Sequence, residues 1–113
     1  MIKVEAIIRP DRVDDVKAAL DGLGAKGMTV TRVMGAGKQR GQTQYYRGQE
    51  HHVMLLDKVK LETVVLAQMA DAVVQAILDC ASTGEIGDGK VFLSKVDDAI
   101  RIRTGERGRT AIG

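Results

Sequence analysis

The sequence predicts an α+β domain in which two helices cover one face of an antiparallel sheet. Three observations lead there. Apolar and polar residues alternate with period two near both ends of the chain, two internal stretches recur with helical spacing, and the order is βαβ followed by βαβ in halves of similar length. At 113 residues the chain reads as one domain, long enough to bury about 65% of its extended surface without staples.

Residues 2 to 9 place Ile2, Val4, Ala6 and Ile8 on one face and Lys3, Glu5, Ile7 and Arg9 on the other, the pattern of a half-buried strand. Arg9-Pro10-Asp11 breaks it and opens a helix with Val13, Val16, Leu20 and Leu23 at helical spacing and acids in the first turn, where the dipole favours them. Gly24 is its natural stop. Met28 to Met34 is extended and rich in strand formers. A third strand runs from about Lys58 to Leu66, and a second helix from about Gln68 to Ser82, with Met69, Val73, Ile77 and Cys80 as its buried stripe and Gly84 as its end. The last strand is Val91 to Val96. This order is the split βαβ of a ferredoxin-like fold, which leaves one sheet face without helices. Lys3, Glu5 and Ile7 on that face form a mixed surface consistent with burial in an oligomer.

Between the second and third strands lie roughly 20 residues, Gly35 to Asp57, where a hairpin connection takes about 2–5. The segment is polar and glycine-rich, with too little apolar surface to fold on itself, so a mobile loop that orders on a ligand or partner is expected. Gly37-Lys38-Gln39 puts a turn, a cation and a neutral amide side by side at its base.

Charge and composition exclude several classes. Seventeen basic and fifteen acidic residues give a net charge of +2, too balanced for a general polyanion binder. The aromatics are Tyr45, Tyr46 and Phe92 alone, which argues against stacking platforms for single-stranded nucleic acid. Cys80 is the lone cysteine, so no intramolecular disulfide forms, and no run reads as a membrane span or signal peptide; a cytoplasmic location is expected. His51-His52 has no third histidine to complete a metal site, Cys80 belonging to the helix's buried stripe, and adjacent side chains in an extended loop point apart.

The chemistry concentrates at Thr83-Gly84-Glu85-Ile86-Gly87-Asp88-Gly89-Lys90. Three glycines let the backbone approach a bulky ligand, and Lys90 adds a cation, a combination that suits a phosphate. A helix-capping glycine followed by an ordinary turn accounts for this stretch equally well when it is taken alone. Arg101-Ile102-Arg103 then alternates in strand fashion, which would aim both guanidiniums to one side, and four arginines against one glutamate from Arg101 to Arg109 make this end locally basic. The glycine turn lacks the Ser or Thr and the spacing of a Walker A loop, and no carboxylate pair or nucleophile with its base is evident, so a small nucleotide hydrolase is the weaker reading.

These segments resemble the PII signal-transduction proteins of nitrogen metabolism. The resemblance is carried by Val4-Glu5-Ala6-Ile7-Ile8-Arg9-Pro10, Gly27-Met28-Thr29-Val30-Thr31, Gly37-Lys38-Gln39-Arg40-Gly41, Tyr46-Arg47-Gly48, the turn Thr83 to Phe92, and Arg101 to Gly108. It implies a single PII-like domain over 1–113, with a flexible T-loop at 37–55, a B-loop at 83–90 and a C-terminal loop at 101–109. It further implies a homotrimer with ATP or ADP in the clefts between subunits. The backbone of Gly87, Asp88 and Gly89 and the side chains of Lys90, Arg101 and Arg103 would meet the phosphates, with Gly37 and Lys38 alongside; Ile7, Thr29 and Val64 would surround the base. The effector implied is 2-oxoglutarate, bound through a Mg²⁺ ion on the ATP phosphates. Gln39 would ligate the metal, Lys58 would face the distal carboxylate, and the backbone from Gly37 through Lys38, Gln39 and Arg40 to Gly41 would wrap the ligand. A divalent cation and a lysine are what a dicarboxylate needs beside a triphosphate.

Partners of the family read the T-loop, so Tyr46, Arg47 and His51 are expected to touch targets such as an ammonium transporter or nitrogen-assimilation enzymes. His51 stands where many members carry a modifiable tyrosine, and Gln49 where others carry a phosphorylated serine, so neither modification is chemically available at those positions. A PII-like sensor with another effector, such as bicarbonate, is the alternative reading.

Overall fold

The computed structural model describes residues 1–37, 44–46, 49–51 and 54–113. The first strand, β1 (Ile2–Ile8), keeps its alternation, with Val4, Ala6 and Ile8 buried and Lys3, Glu5 and Ile7 half-buried on the opposite face. Pro10 cannot continue the ladder, and Pro10–Arg12 forms a 3-10 turn before helix α1 (Val13–Gly22). Val16 and Leu20 bury its inner face, while Leu23, expected in that stripe, lies just past the helix and is exposed. Gly24 at φ 84° closes α1: its N–H donates to Asp21 O, and that of Ala25 to Leu20 O, the paired bonds of a Schellman cap.

Strand β2 (Met28–Gly37) pairs antiparallel with β5 (Met54–Val65). Both strands run well beyond the expected boundaries. Gly35, Ala36 and Gly37 sit opposite Leu56, Leu55 and Met54, and Gln44–Tyr46 (β3) pairs with Gln49–His51 (β4). Much of the segment expected to be a loop is thus backbone ladder. A two-stranded ladder satisfies its amides without a buried face, so the shortage of apolar residues there did not forbid it. Lys38, Gln39, Arg40, Gly41, Arg47 and His52 lie outside the described residues.

After a 3-10 turn at Ala67–Met69, helix α2 (Ala70–Ala81) buries Ala70, Val73, Ile77 and Ala81. Met69 and Cys80 pack only at the edge of this core, so the stripe is shifted by one residue from the expected one at both ends. The helix stops because Ser82 turns extended at ψ 129°, two residues before Gly84. The final strand, β6 (Gly89–Lys95), starts two residues earlier than expected, and a short helix, α3 (Arg109–Ile112), follows the C-terminal turns.

The four-stranded sheet has the order β2-β5-β1-β6, antiparallel throughout, which is the ferredoxin-like arrangement. Val4, Ala6, Ile8, Val59, Leu61 and Val65 face α1 and α2 and form one core with them. The register puts Ile7, Lys58, Lys60, Glu62, Val64, Lys90 and Phe92 on the face that carries no helix. Among the described residues no helix is long and apolar enough to cross a membrane.

Candidate functional site

The end of β1, the middle of β5 and the start of β6 converge on the turn from Thr83 to Gly89. Gly87 and Gly89 adopt φ of 103° and 104°, conformations that L side chains avoid. At Gly89 the constraint is doubled, because a Cβ there would overlap the carbonyl of Ile7. The turn therefore seats on β1 with no side chain between.

Asp88 organises this turn from within. Its Oδ2 accepts the N–H of Thr83 at 2.7 Å and that of Gly84 at 3.0 Å; its Oδ1 accepts the Thr83 hydroxyl and, at 3.2 Å, Arg9 Nε. Arg9 Nη2 also donates to Ile86 O at 3.0 Å. These bonds, led by those from Thr83, hold the Asp88 carboxyl far below the usual carboxylate range.

Lys58 is 8% exposed, and its ammonium donates to Gly87 O. Burial, and next the charge of Arg9, push its pKa down. A desolvated cation with no ion-pair partner among the described residues is a seat for an anion.

A cavity of about 380 Å³ opens beside the turn, lined by Ile7, Gly37, Lys58, Gly87, Gly89, Lys90 and Phe92 among others. Six of the expected site residues meet there. Thr29 and Val64 do not; they line a second cavity of about 720 Å³ with Lys3, Glu62 and the end of the chain at Ala111 to Gly113. Lys3 and Glu62, both in its wall, pair at 2.8 Å, raising the lysine pKa and lowering that of the glutamate.

Arg101 and Arg103 line neither cavity, and their expected strand is absent. Residues 102 to 104 form a turn, closed by Gly105 N–H to Arg101 O at 2.7 Å and Arg101 N–H to Glu106 O at 2.9 Å. The turn won because Gly105, at φ 73°, bends the chain back on itself. The Arg101 guanidinium binds Glu106 at 2.9 Å and the carbonyls of Thr110 and Gly113 at 3.0 Å, so it ties down the C-terminal segment. Arg103 is exposed. Tyr46 and His51 lie on β3 and β4.

Sequence reasoning missed Arg9, Thr83 and the Asp88 side chain as parts of this site, and Phe92 as a lining residue. Phe92 left a signal, an aromatic on the parity that faces away from the helices, and Thr83 and Asp88 lay within the turn already singled out; Arg9 left none.

The fold and this cavity define the class: a small ferredoxin-like α+β domain with a lysine-lined pocket beside the extended β2–β5 ladder. The chain belongs to the family described as nitrogen regulatory protein P-II, whose pattern matches residues 1–106. It is 53% identical over 112 residues to nitrogen regulatory protein P-II of Rhizobium meliloti, covering 99% of this chain and 100% of the relative. The P-II protein of Synechocystis is 54% identical over the same shares, and P-II 2 of Methanothermobacter thermautotrophicus is 50% identical over 99% of this chain and 97% of the relative. Among solved structures, Arabidopsis thaliana PII bound to citrate superposes with a TM-score of 0.79 at 41% identity, over 98% of this chain and 88% of that one. The chain is therefore a signal-transduction regulator of the P-II family, not an enzyme.

Proposed function

We propose that this protein binds ATP or ADP at the seams of a homotrimer, senses 2-oxoglutarate with Mg-ATP, and controls nitrogen-metabolism targets in the cytoplasm through its T-loop, residues 37–55. The observation that carries the reading is the division of the expected binding residues on one subunit. Gly87, Gly89 and Lys90 stand at one cavity, Thr29 and Val64 at another, and the exposed Arg103 at neither. Groups that serve one ligand but stand apart on one subunit are united when a neighbour supplies the missing half. The helix-free sheet face, with Phe92 51% exposed, and Ile102, 100% exposed, offer apolar surface for that contact.

In this reading Lys90 and Arg103 neutralise the phosphates. Gly87 and Gly89 let the backbone approach them, and Ile7 and Val64 flank the base. Arg101 joins the phosphate set only if it exchanges its bonds to the C-terminal carbonyls. Lys58, desolvated beside Gly87, holds the far carboxylate of the effector. The citrate bound to the Arabidopsis protein is itself a polycarboxylate, which supports such an anion as a ligand of this fold. The Asp88 oxygens are already engaged by Thr83, Gly84 and Arg9, so this side chain is not the one to ligate a metal. Mg²⁺ fits as an ion carried by the nucleotide phosphates, with the Gln39 amide as its protein ligand, and it would bridge the triphosphate to the effector. Tyr46, Arg47 and His51 would meet an ammonium transporter or a nitrogen-assimilation enzyme.

Calorimetry tests the reading. 2-Oxoglutarate is expected to bind with Mg-ATP present and not with ADP. Arg103→Ala should weaken ATP and ADP alike by about 1.5–3 kcal/mol, the worth of a charged hydrogen bond. Gln39→Ala should spare ADP and weaken the 2-oxoglutarate response. Nucleotide binding without any 2-oxoglutarate response would replace this effector with another, such as bicarbonate.

A further inference from the structure

We propose that Arg9 is the positioning residue of the phosphate-receptive turn, fixing residues 83–89 through Asp88 and the Ile86 carbonyl and cancelling the carboxylate's charge beside the anion seat. The proposal rests on reading Gly87 to Lys90 as that seat. A carboxylate next to a nucleotide's phosphates is unfavourable by like-charge repulsion unless it is compensated. Here it is compensated fully. Each Asp88 oxygen accepts two hydrogen bonds, and the Arg9 guanidinium supplies the opposing charge at 3.2 Å. With side-chain exposures of 18% and 23%, the pair is shielded from much of the screening that weakens surface ion pairs.

Arg9 is suited to the task by its place in the chain. It follows the last paired residue of β1, where Ile8 sits opposite Gly89, and it precedes Pro10, whose ring holds the Arg9 backbone extended at φ −65° and ψ 141°. The root of the side chain is therefore fixed against the turn it reaches. One edge of the guanidinium then serves two acceptors at once, Asp88 Oδ1 and Ile86 O. A lysine supplies the charge but not this planar fork. From the other side Lys58 holds Gly87 O, so the turn is pinned at Ile86, Gly87 and Asp88 from two strands.

The test compares the full-length protein with Arg9→Met and Arg9→Lys by hydrogen exchange and by calorimetry with ATP and ADP. Arg9→Met is expected to speed exchange at the Thr83 and Gly84 amides, leave protection in β1 and β5 unchanged, and weaken both nucleotides about ten- to a hundredfold. Arg9→Lys should recover part of the affinity and less of the protection. Wild-type exchange and affinity in Arg9→Met would overturn the proposal, as would a uniform loss of protection across the sheet, which marks a merely structural role. Should the unaltered protein bind neither nucleotide, the reading of the seat fails, and exchange at Thr83 and Gly84 still decides whether Arg9 orders the turn.

Discussion

Asp88 carries more of the turn's geometry than any other single side chain. Its carboxyl titrates lower in the folded chain than in the unfolded one, where about 3.9 is usual, so its contribution to stability is complete above that value and is lost as pH falls below it. Urea unfolding from pH 7 to pH 3 should show a steeper acid loss in the unaltered protein than in Asp88→Asn; parallel curves would assign the acid sensitivity elsewhere. Gly89 is the strictest position. Gly89→Ala should destabilise the fold by at least about 2 kcal/mol, since both its φ and the Ile7 carbonyl oppose a side chain. Thr63 is the reverse case: its hydroxyl is buried on the core face with no hydrogen-bond partner among the described residues. Thr63→Val is expected to raise stability by about 1 kcal/mol in denaturant melts, and a loss would show that the hydroxyl has a partner after all.

At the scale of elements, legibility followed the strength of each periodic signal. The alternation of Ile2, Val4, Ala6 and Ile8 and the spacing of Val16 and Leu20, or of Val73 and Ile77, reflect burial on one face, and the structure packs these residues into or against the core as read. Ladders without a buried face leave no such mark. The extensions of β2 to Gly37 and of β5 back to Met54, and the pairing of β3 with β4, are held by backbone bonds that any sequence can make. Arg101-Ile102-Arg103 misled for the opposite reason. Three residues of alternation are too few to outweigh the neighbouring Gly105 and Glu106, which close a turn. The candidate site was legible where glycine and lysine cluster in sequence. It was not legible at Arg9, whose partners Ile86 and Asp88 lie 77 and 79 residues away. An element-level check follows from α2: Ile77→Ala, at 1% exposure, should cost about 2–5 kcal/mol, whereas truncating the edge residue Cys80 to Ala should cost far less.

For the whole molecule, the proposed function requires that two separate half-sites be brought together. The turn with Lys58 and Lys90 forms one and the Thr29 and Val64 cavity the other; Arg103, exposed and lining neither, is assigned to the second half in this proposal. In a ring of identical subunits each seam would join one half to the other, and the extended β2–β5 ladder beside it would feel which ligand lies there. Mixed oligomers test this most directly. Lys90→Ala and Arg103→Ala each damage a different half, so each alone should bind ATP poorly. Co-assembled, they are expected to regain sites of unaltered affinity by calorimetry, because some seams pair an intact Lys90 with an intact Arg103. If the mixture binds no better than the two separate variants, the nucleotide does not lie between subunits and the account is wrong.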